Sequence, residues 1–155
     1  MPDSDATGLV IVMDGPPGAG KSAVAGIVAS GARRPTVHLH TDSFYRWIRS
    51  GFVPRYLPQA RAQNEVVTSV MTGAACAYAR GGYDVIVDGI IGPWLLPEFR
   101  SAFVLLELRY VVLRPSLSVA LARATGRAVG GSSPIRGRSR GCTARSVISV
   151  SWKVM

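Results

Sequence analysis

Gly15-Pro16-Pro17-Gly18-Ala19-Gly20-Lys21-Ser22 is the stretch that decides the fold of this 155-residue chain, because it matches the pattern Gly-x-x-x-x-Gly-Lys-Ser/Thr at every fixed position. Glycines let the backbone curve around an anion and turn its N–H groups inward. Lys21 would reach the β- and γ-phosphates of ATP as a point charge, and the Ser22 hydroxyl would contact Mg²⁺. We predict that all eight residues bind ATP and that Lys21 also acts in catalysis.

The segments on either side of this loop have the character that the pattern requires. Residues 8–13 form a continuous apolar and largely β-branched run, which predicts a strand buried on both faces of a parallel sheet. Residues 22–30 are rich in Ala and Val and are followed by Gly31, which predicts a helix that ends there. A strand, the loop and a helix therefore follow one another in the expected order.

Strands and helices alternate along the next hundred residues. The patterns predict strands at 36–40, 83–88 and 105–113, helices at 43–49, 59–80 and 116–125, and a loop at 90–97. In the longest helix, the spacing of Val67, Val70, Met71, Ala74 and Tyr78 predicts one apolar stripe. Strands that alternate with helices favour parallel crossovers, so the predicted fold is a doubly wound α/β sheet.

Two acidic residues are predicted to stand at the carboxyl ends of strands, where doubly wound sheets place their ligands. Asp88 closes the apolar run 85–87, and we predict that it holds Mg²⁺ together with Ser22. Asp42 follows residues 38–41 and precedes a predicted helix, so it is either an N-cap or a functional carboxylate, and the two roles are compatible. In the functional role, Asp42 would accept the proton of an attacking hydroxyl.

Two arginines are candidates for stabilising the transferred phosphoryl group. Arg123 and Arg127 are four residues apart, on the predicted helix 116–125 and just beyond it, so both can project on the same side. The alternative is a solvated pair that the dipole favours at a helix C-terminus. Spacing alone does not separate the two interpretations.

The histidines and cysteines predict no metal centre. His38 and His40 would point to one face of a strand, as a metal-binding pair does, but the sequence shows no third ligand beside them. Core or hydrogen-bonded histidines are therefore expected. Cys76 and Cys142 form no Cys-x-x-Cys pair, so neither a zinc site nor a disulfide is indicated, and Cys76 is expected to be a small buried residue.

The net charge of +9 is confined to one end of the chain. Residues 1–107 contain nine basic and nine acidic residues, whereas residues 108–155 contain nine basic residues and no acid. No apolar run approaches the roughly 20 residues of a membrane-spanning helix, and the first five residues are acidic rather than basic. We expect a cytoplasmic protein with no membrane partner.

With these residues in place, the chain resembles the small P-loop kinases of the nucleotide-kinase-like group and AAA-type ATPases, most closely the chloramphenicol phosphotransferase-like and zeta-toxin-like proteins. The resemblance covers about residues 8–127 and is carried by the loop 15–22, the stretches 40–44 and 85–89, and Arg123 to Arg127. It implies a three-layer α/β/α P-loop NTPase fold with a mostly parallel sheet. It also implies transfer of the γ-phosphate of ATP to a hydroxyl of a small-molecule acceptor, with Asp42 as base and Arg123 and Arg127 closing on the phosphates.

The C-terminal region departs from that pattern. Residues 126–145 are rich in Gly, Arg and Ser, with little apolar periodicity beyond a possible short strand at 147–152. We predict a kinase-like domain at 1–128 and a poorly ordered tail at 129–155, and we hypothesise that the C-terminal part is incomplete or aberrant. The alternative functions are nucleotide binding without efficient transfer, or a nucleotide binder whose basic tail contacts nucleic acid. Nucleic acid is not expected as a partner because the tail arginines lack interleaved aromatic residues.

Overall fold

The strands and helices lie within the residues that the computed structural model describes, which are 7–91, 95–119 and 147–150. The strands are β1 (Val10–Asp14), β2 (Thr36–His40), β3 (Asp84–Asp88), β4 (Leu108–Leu113) and β5 (Val147–Val150). The α-helices are α1 (Lys21–Ser30), α2 (Thr41–Arg46), α3 (Arg61–Arg80) and α4 (Leu96–Ala102), and a 3₁₀ turn at Pro58–Ala60 precedes α3. The predicted alternation of strands and helices is confirmed.

All described strands belong to one sheet with the order β2-β3-β1-β4-β5. The first four are parallel to their neighbours, and β5 runs antiparallel to β4. The carboxyl ends of β1, β2 and β3 meet at one edge, because Asp88 is in register with Met13 on one side and with His40 on the other. The loop that follows β1 therefore lies beside the residue that ends β3.

Helices cover both faces of this sheet, and the alternation of side chains along β3 shows why. Val85 and Val87 are buried with residues of α3 and with Phe99 of α4, whereas Ile86 points to the opposite face and is buried with Ala25 of α1. Successive strand residues face opposite sides, so a strand apolar at every position needs a helix on each face. The architecture is the three-layer α/β/α arrangement with a mostly parallel sheet.

The predicted apolar stripe of α3 is wrong at two positions. Val70 and Tyr78 are 55% and 43% exposed, while the other three residues of the stripe are buried in the core or pack against it. Thr68 and Thr72 are buried instead. Burial of Thr72 is tolerated because its hydroxyl donates to the backbone oxygen of Thr68 at 3.0 Å, so the polar group keeps a partner.

The predicted loop at 90–97 is wrong at its end, because α4 begins at Leu96. Pro97 and Glu98 occupy the first turn of α4, where proline's missing N–H costs nothing and a carboxylate favours the helix dipole. Phe99 and Phe103 are 0% and 2% exposed. These two aromatic rings tie the short helix to the core, which a pattern of only seven residues does not reveal.

The predicted strand at 105–113 begins later, at Leu108, and Leu105 is 83% exposed. The short strand predicted in 147–152 is confirmed as β5. The predicted helix 116–125 is described only as far as residue 119, and residues 117–119 are helical. The division into 1–128 and 129–155 and the hypothesis of an aberrant C-terminus stay predictions. Among the described helices, none combines the length and apolar character needed to cross a bilayer.

Candidate active site

The loop after β1 has the backbone geometry of an anion cradle. Gly15, Gly18 and Gly20 adopt φ values of 147°, 80° and 88°, a region that residues with a Cβ rarely enter. A Cβ on Gly15 would also lie 2.5 Å from the backbone oxygen of Leu113. The glycines at these positions are therefore required by the path of the chain.

The helix that follows the loop is open at its N-terminus. The ten-residue α1 begins at Lys21, has no side-chain cap and carries no acidic residue in its first turn. The first N–H groups of a helix have no partner within the helix and carry its positive dipole end. This end of α1 is thus available to an anion that sits in the loop.

Lys21 keeps its ammonium group at the loop. Its Nζ donates hydrogen bonds to the backbone oxygens of Gly15 at 2.7 Å and of Pro16 at 3.1 Å. Ala19 closes the turn by donating its N–H to the oxygen of Pro16 at 3.1 Å. The positive charge predicted to reach the phosphates is therefore held against the loop that would cradle them.

Ser22 and Asp88, predicted from the sequence as the metal ligands, are in contact. The Ser22 hydroxyl donates to Oδ2 of Asp88 at 2.5 Å, and the Asp88 side chain is only 3% exposed. A hydroxyl and a carboxylate are oxygen ligands of the kind that Mg²⁺ prefers, beside water and substrate phosphates. The residues present therefore fit this ion.

Asp42 lies at the edge of the site and is not an N-cap. Helix α2 begins at Thr41 with His40 in the cap position, so Asp42 stands inside the first turn. Its side chain is 60% exposed, and its Oδ1 accepts a hydrogen bond from Nη1 of Arg55 at 2.8 Å. Arg55 in turn lies over the ring of Tyr45, 4.6 Å from its centroid.

Thr41 and Gly89 bring the start of α2 against the end of β3. A Cβ on Gly89 would come within 1.9 Å of the Thr41 hydroxyl oxygen and 2.8 Å of its Cβ. The 5% exposure of Thr41 confirms the tightness of this contact. The absence of a side chain at Gly89 thus fixes the spacing between the segments that carry Asp42 and Asp88.

Sequence reasoning missed a connection among His38, His40 and Asp88. Nε2 of His38 and Nδ1 of His40 lie 3.1 Å and 3.0 Å from the same oxygen, Oδ1 of Asp88. The third ligand that the sequence did not show beside the histidines is therefore Asp88. The register of β2 against β3 was the missing information, and it could be inferred only by assuming that both parallel strands end at the same edge.

Asp14 is a second residue whose role the sequence did not resolve. Its Oδ1 accepts the N–H of Ile91 at 3.1 Å, and its Oδ2 accepts the hydroxyl of Tyr110 at 2.5 Å. Burial raises the pKa of Tyr110, and the hydrogen bond to Asp14 and the charge of Asp14 raise it further. Asp14 thus joins β1, β4 and the segment after Asp88 behind the phosphate loop.

The remaining candidates divide between described and undescribed parts of the chain. Arg123 and Arg127 lie outside the described residues. Cys76 is buried as expected and approaches the backbone oxygen of Ala102 at 3.2 Å. An open apolar cavity of about 470 Å³ lies between α2 and α3, and its lining includes Phe44, Trp47 and Val70. The exposed Val70 therefore borders this cavity.

Comparison with known proteins finds a family match and several similar folds. The model of a family described as "AAA domain" matches residues 10–140. No curated protein sequence matches the chain.

The similar structures are kinases and an RNA repair complex. A chain of the Pnkp1/Rnl/Hen1 RNA repair complex has a TM-score of 0.65 and 18% identity, over 84% of this chain and 40% of its own length. The Mycobacterium tuberculosis APS kinase CysC, in complex with AMPPNP and APS, has a TM-score of 0.62 and 19% identity, over 76% and 69% of the two chains. A gluconokinase from Sinorhizobium meliloti 1021 has a TM-score of 0.52 and 19% identity, over 79% and 66%.

These similarities show the fold of small P-loop kinases. The chain spans 40% of the RNA repair protein that it matches, and all three identities are below 20%. The closer resemblance to chloramphenicol phosphotransferase-like and zeta-toxin-like proteins stays a prediction.

Proposed function

Since the chain belongs to the AAA domain family, we propose that it is an ATP-dependent phosphotransferase that transfers the γ-phosphate to a hydroxyl group of a small-molecule acceptor. The strongest support is the combination of the positive-φ glycine loop, the uncapped start of α1 and the Lys21 ammonium held at that loop. Use of ATP fits a cytoplasmic location.

The loop and Lys21 would bind the nucleotide. The N–H groups of the loop and of the first turn of α1 would donate to phosphate oxygens, and Lys21 would exchange its contacts with Gly15 and Pro16 for the β- and γ-phosphates. None of these groups has to cross the site, because the ammonium lies within 3.1 Å of the loop carbonyl oxygens. This preorganisation favours binding of a triphosphate.

Ser22 and Asp88 would hold Mg²⁺, which when bound offsets the negative charge of the phosphates. Their side chains already face each other across 2.5 Å. Asp88 is buried and is fixed by the register of β3. Its carboxylate therefore has a defined direction toward the phosphate loop.

Asp42 would take the proton of the acceptor. As the acceptor oxygen forms its bond to the γ-phosphorus, the hydroxyl proton passes to the Asp42 carboxylate and the bond to the β–γ bridging oxygen breaks, which releases ADP. The 60% exposure of Asp42 leaves its carboxylate accessible to an acceptor, and Arg55 would orient it. Arg123 and Arg127 would stabilise the charge on the transferred group.

The direct test is a screen of small hydroxylated compounds with γ-labelled ATP and the full chain. We expect labelled acceptor and ADP with the wild type, and no labelled acceptor with Lys21→Ala. Tight ATP binding without a labelled product would favour a nucleotide-binding protein without efficient transfer. The absence of both binding and transfer would overturn the proposal.

A further inference from the structure

We propose that His38, His40 and Asp88 form a binding site for a transition-metal ion such as Zn²⁺, with donor atoms other than those proposed for Mg²⁺. These residues are called the His–His–Asp cluster below. Their three candidate ligand atoms lie within 4.8 Å of one another. The site concerns binding without nucleotide, so it stands or falls independently of the proposed phosphotransfer.

The distances within the cluster suit coordination of one ion. The nitrogen atoms of His38 and His40 lie 3.1 Å and 3.0 Å from Oδ1 of Asp88. Zinc binds imidazole nitrogen and carboxylate oxygen at about 2.0–2.2 Å, which places neighbouring ligand atoms about 3.0–3.4 Å apart. A Zn²⁺ ion therefore fits between each histidine nitrogen and the carboxylate with small side-chain adjustments.

The strand register fixes the cluster in place. His38 and His40 are two residues apart on β2 and so point to the same face, and their ring centroids are 4.1 Å apart. On the neighbouring strand, Ile86 and Asp88 are their register partners. The backbone of two hydrogen-bonded strands thus holds all three ligands, which is a rigid support for a metal site.

Two buried polar atoms in the cluster lack partners, and this is an independent indication of a ligand. Among the described residues, neither Oδ1 of Asp88 nor Nε2 of His38 has a hydrogen-bond partner. Asp88 is 97% removed from solvent, since its exposure is 3%. Leaving a buried carboxylate oxygen unpaired is costly. A cation between Asp88 and the histidines would satisfy both orphaned atoms.

The donor set also selects the kind of metal. Imidazole nitrogen suits zinc, cobalt and nickel, whereas magnesium prefers oxygen ligands. The ion has a route from solvent, because the His40 side chain is 46% exposed on the edge strand. The two oxygens of Asp88 then serve different partners, Oδ2 toward Ser22 and Oδ1 toward the histidines.

The chain contains only two histidines, so proton NMR reports on this site alone. The full chain is titrated with Zn²⁺ and, in a parallel sample, with Mg²⁺, both without nucleotide. We expect Zn²⁺ to shift the imidazole signals of both His38 and His40 at one ion per chain, and Mg²⁺ to leave them in place. No response of either imidazole to Zn²⁺ overturns the proposal, and this readout needs no variant that must fold.

Calorimetry on matched variants tests the ligands one by one. His38→Gln and His40→Asn keep a polar amide near the original nitrogen position, and each should weaken Zn²⁺ binding about 100-fold or more, because loss of an outer-shell partner alone costs 10–100-fold. Cys142→Ser controls for thiol binding and should retain the wild-type affinity. Wild-type affinity in both histidine variants, or loss of binding in Cys142→Ser, would place the metal elsewhere and contradict the proposal.

Discussion

Asp88 and Asp42 follow neighbouring strands of the same sheet, yet their surroundings are opposite. Asp88 is 3% exposed and bonded to Ser22, whereas Asp42 is 60% exposed and held by one ion pair with Arg55. The nucleotide side is thus formed by backbone geometry and a buried charge, and the acceptor side by surface side chains. This contrast teaches that nucleotide binding and group transfer should be separable by mutation.

Lys21→Ala should produce the largest effect on the nucleotide side. Removing a charge that contacts the phosphates typically costs 2–5 kcal/mol, so we expect nucleotide affinity to fall about 100-fold or more. Isothermal titration calorimetry with ATP and Mg²⁺ measures this change. Lys153→Ala, at the other lysine of the chain, is the matched control and should bind ATP as the wild type does. Equal affinity of Lys21→Ala and wild type would remove Lys21 from the site.

Gly89→Ala tests the close approach that separates the two carboxylates. The new Cβ would lie 1.9 Å from the Thr41 hydroxyl oxygen, so the free energy of unfolding should fall by about 2–3 kcal/mol. Urea denaturation followed by circular dichroism gives this value. Gly73→Ala, in α3 with no atom within 4 Å of the added Cβ, should instead gain up to about 1 kcal/mol. Similar changes in both variants would contradict the tight packing at Gly89.

Tyr110→Phe tests the network behind the loop. Loss of the hydroxyl that contacts Asp14 should lower the free energy of unfolding by about 1–2 kcal/mol near neutral pH. The folded state raises the pKa of Tyr110 above its ordinary value of 10.0. The wild type should therefore lose stability as the pH rises above about 10, because the unfolded chain releases this proton more readily.

The pH dependence of unfolding distinguishes Tyr110 from the other tyrosines. Tyr110→Phe should lose less stability between pH 9 and pH 11 than the wild type, on the order of one proton's contribution. Tyr56→Phe is the control, because Tyr56 is 86% exposed and the substitution should leave the curve unchanged. An unchanged alkaline slope in Tyr110→Phe would show that the hydroxyl is not held as described.

Arg55→Gln should have the smallest effect on stability. Its pair with Asp42 is solvent-exposed on both sides, and such pairs contribute about 0–1 kcal/mol. Urea denaturation should therefore show a change within about 1 kcal/mol, similar to that of Arg61→Gln, whose pair with Glu65 is also exposed. A loss above about 2 kcal/mol in Arg55→Gln would mean that the acceptor side is as firmly built as the nucleotide side.

The sequence could predict the phosphate loop because its determinants are local. Eight consecutive residues specify the turn, the lysine and the hydroxyl, and the structure gives positive φ at the glycines of this stretch. The contact of Ser22 with Asp88 was also accessible, since an apolar strand that ends in a carboxylate has a predictable place beside the loop.

The rest depended on pairings between distant segments. The His–His–Asp cluster requires the register of β2 on β3, and the Asp14–Tyr110 contact joins residues that are 96 positions apart. The face of α3 was mispredicted because Thr72 satisfies its hydroxyl within the helix, which lets a polar residue replace Val70 in the core. Arg123 and Arg127 lie outside the described residues, and their roles stay predictions.

The separation of binding from transfer is tested most directly by Asp42→Asn. Label transfer from γ-labelled ATP to a mixture of small hydroxylated acceptors is compared with that of the wild type, at ATP concentrations that saturate both proteins. We expect transfer to fall about 100-fold or more, as for loss of a general base, while ATP affinity stays within about threefold. Transfer at the wild-type rate by Asp42→Asn would contradict the account.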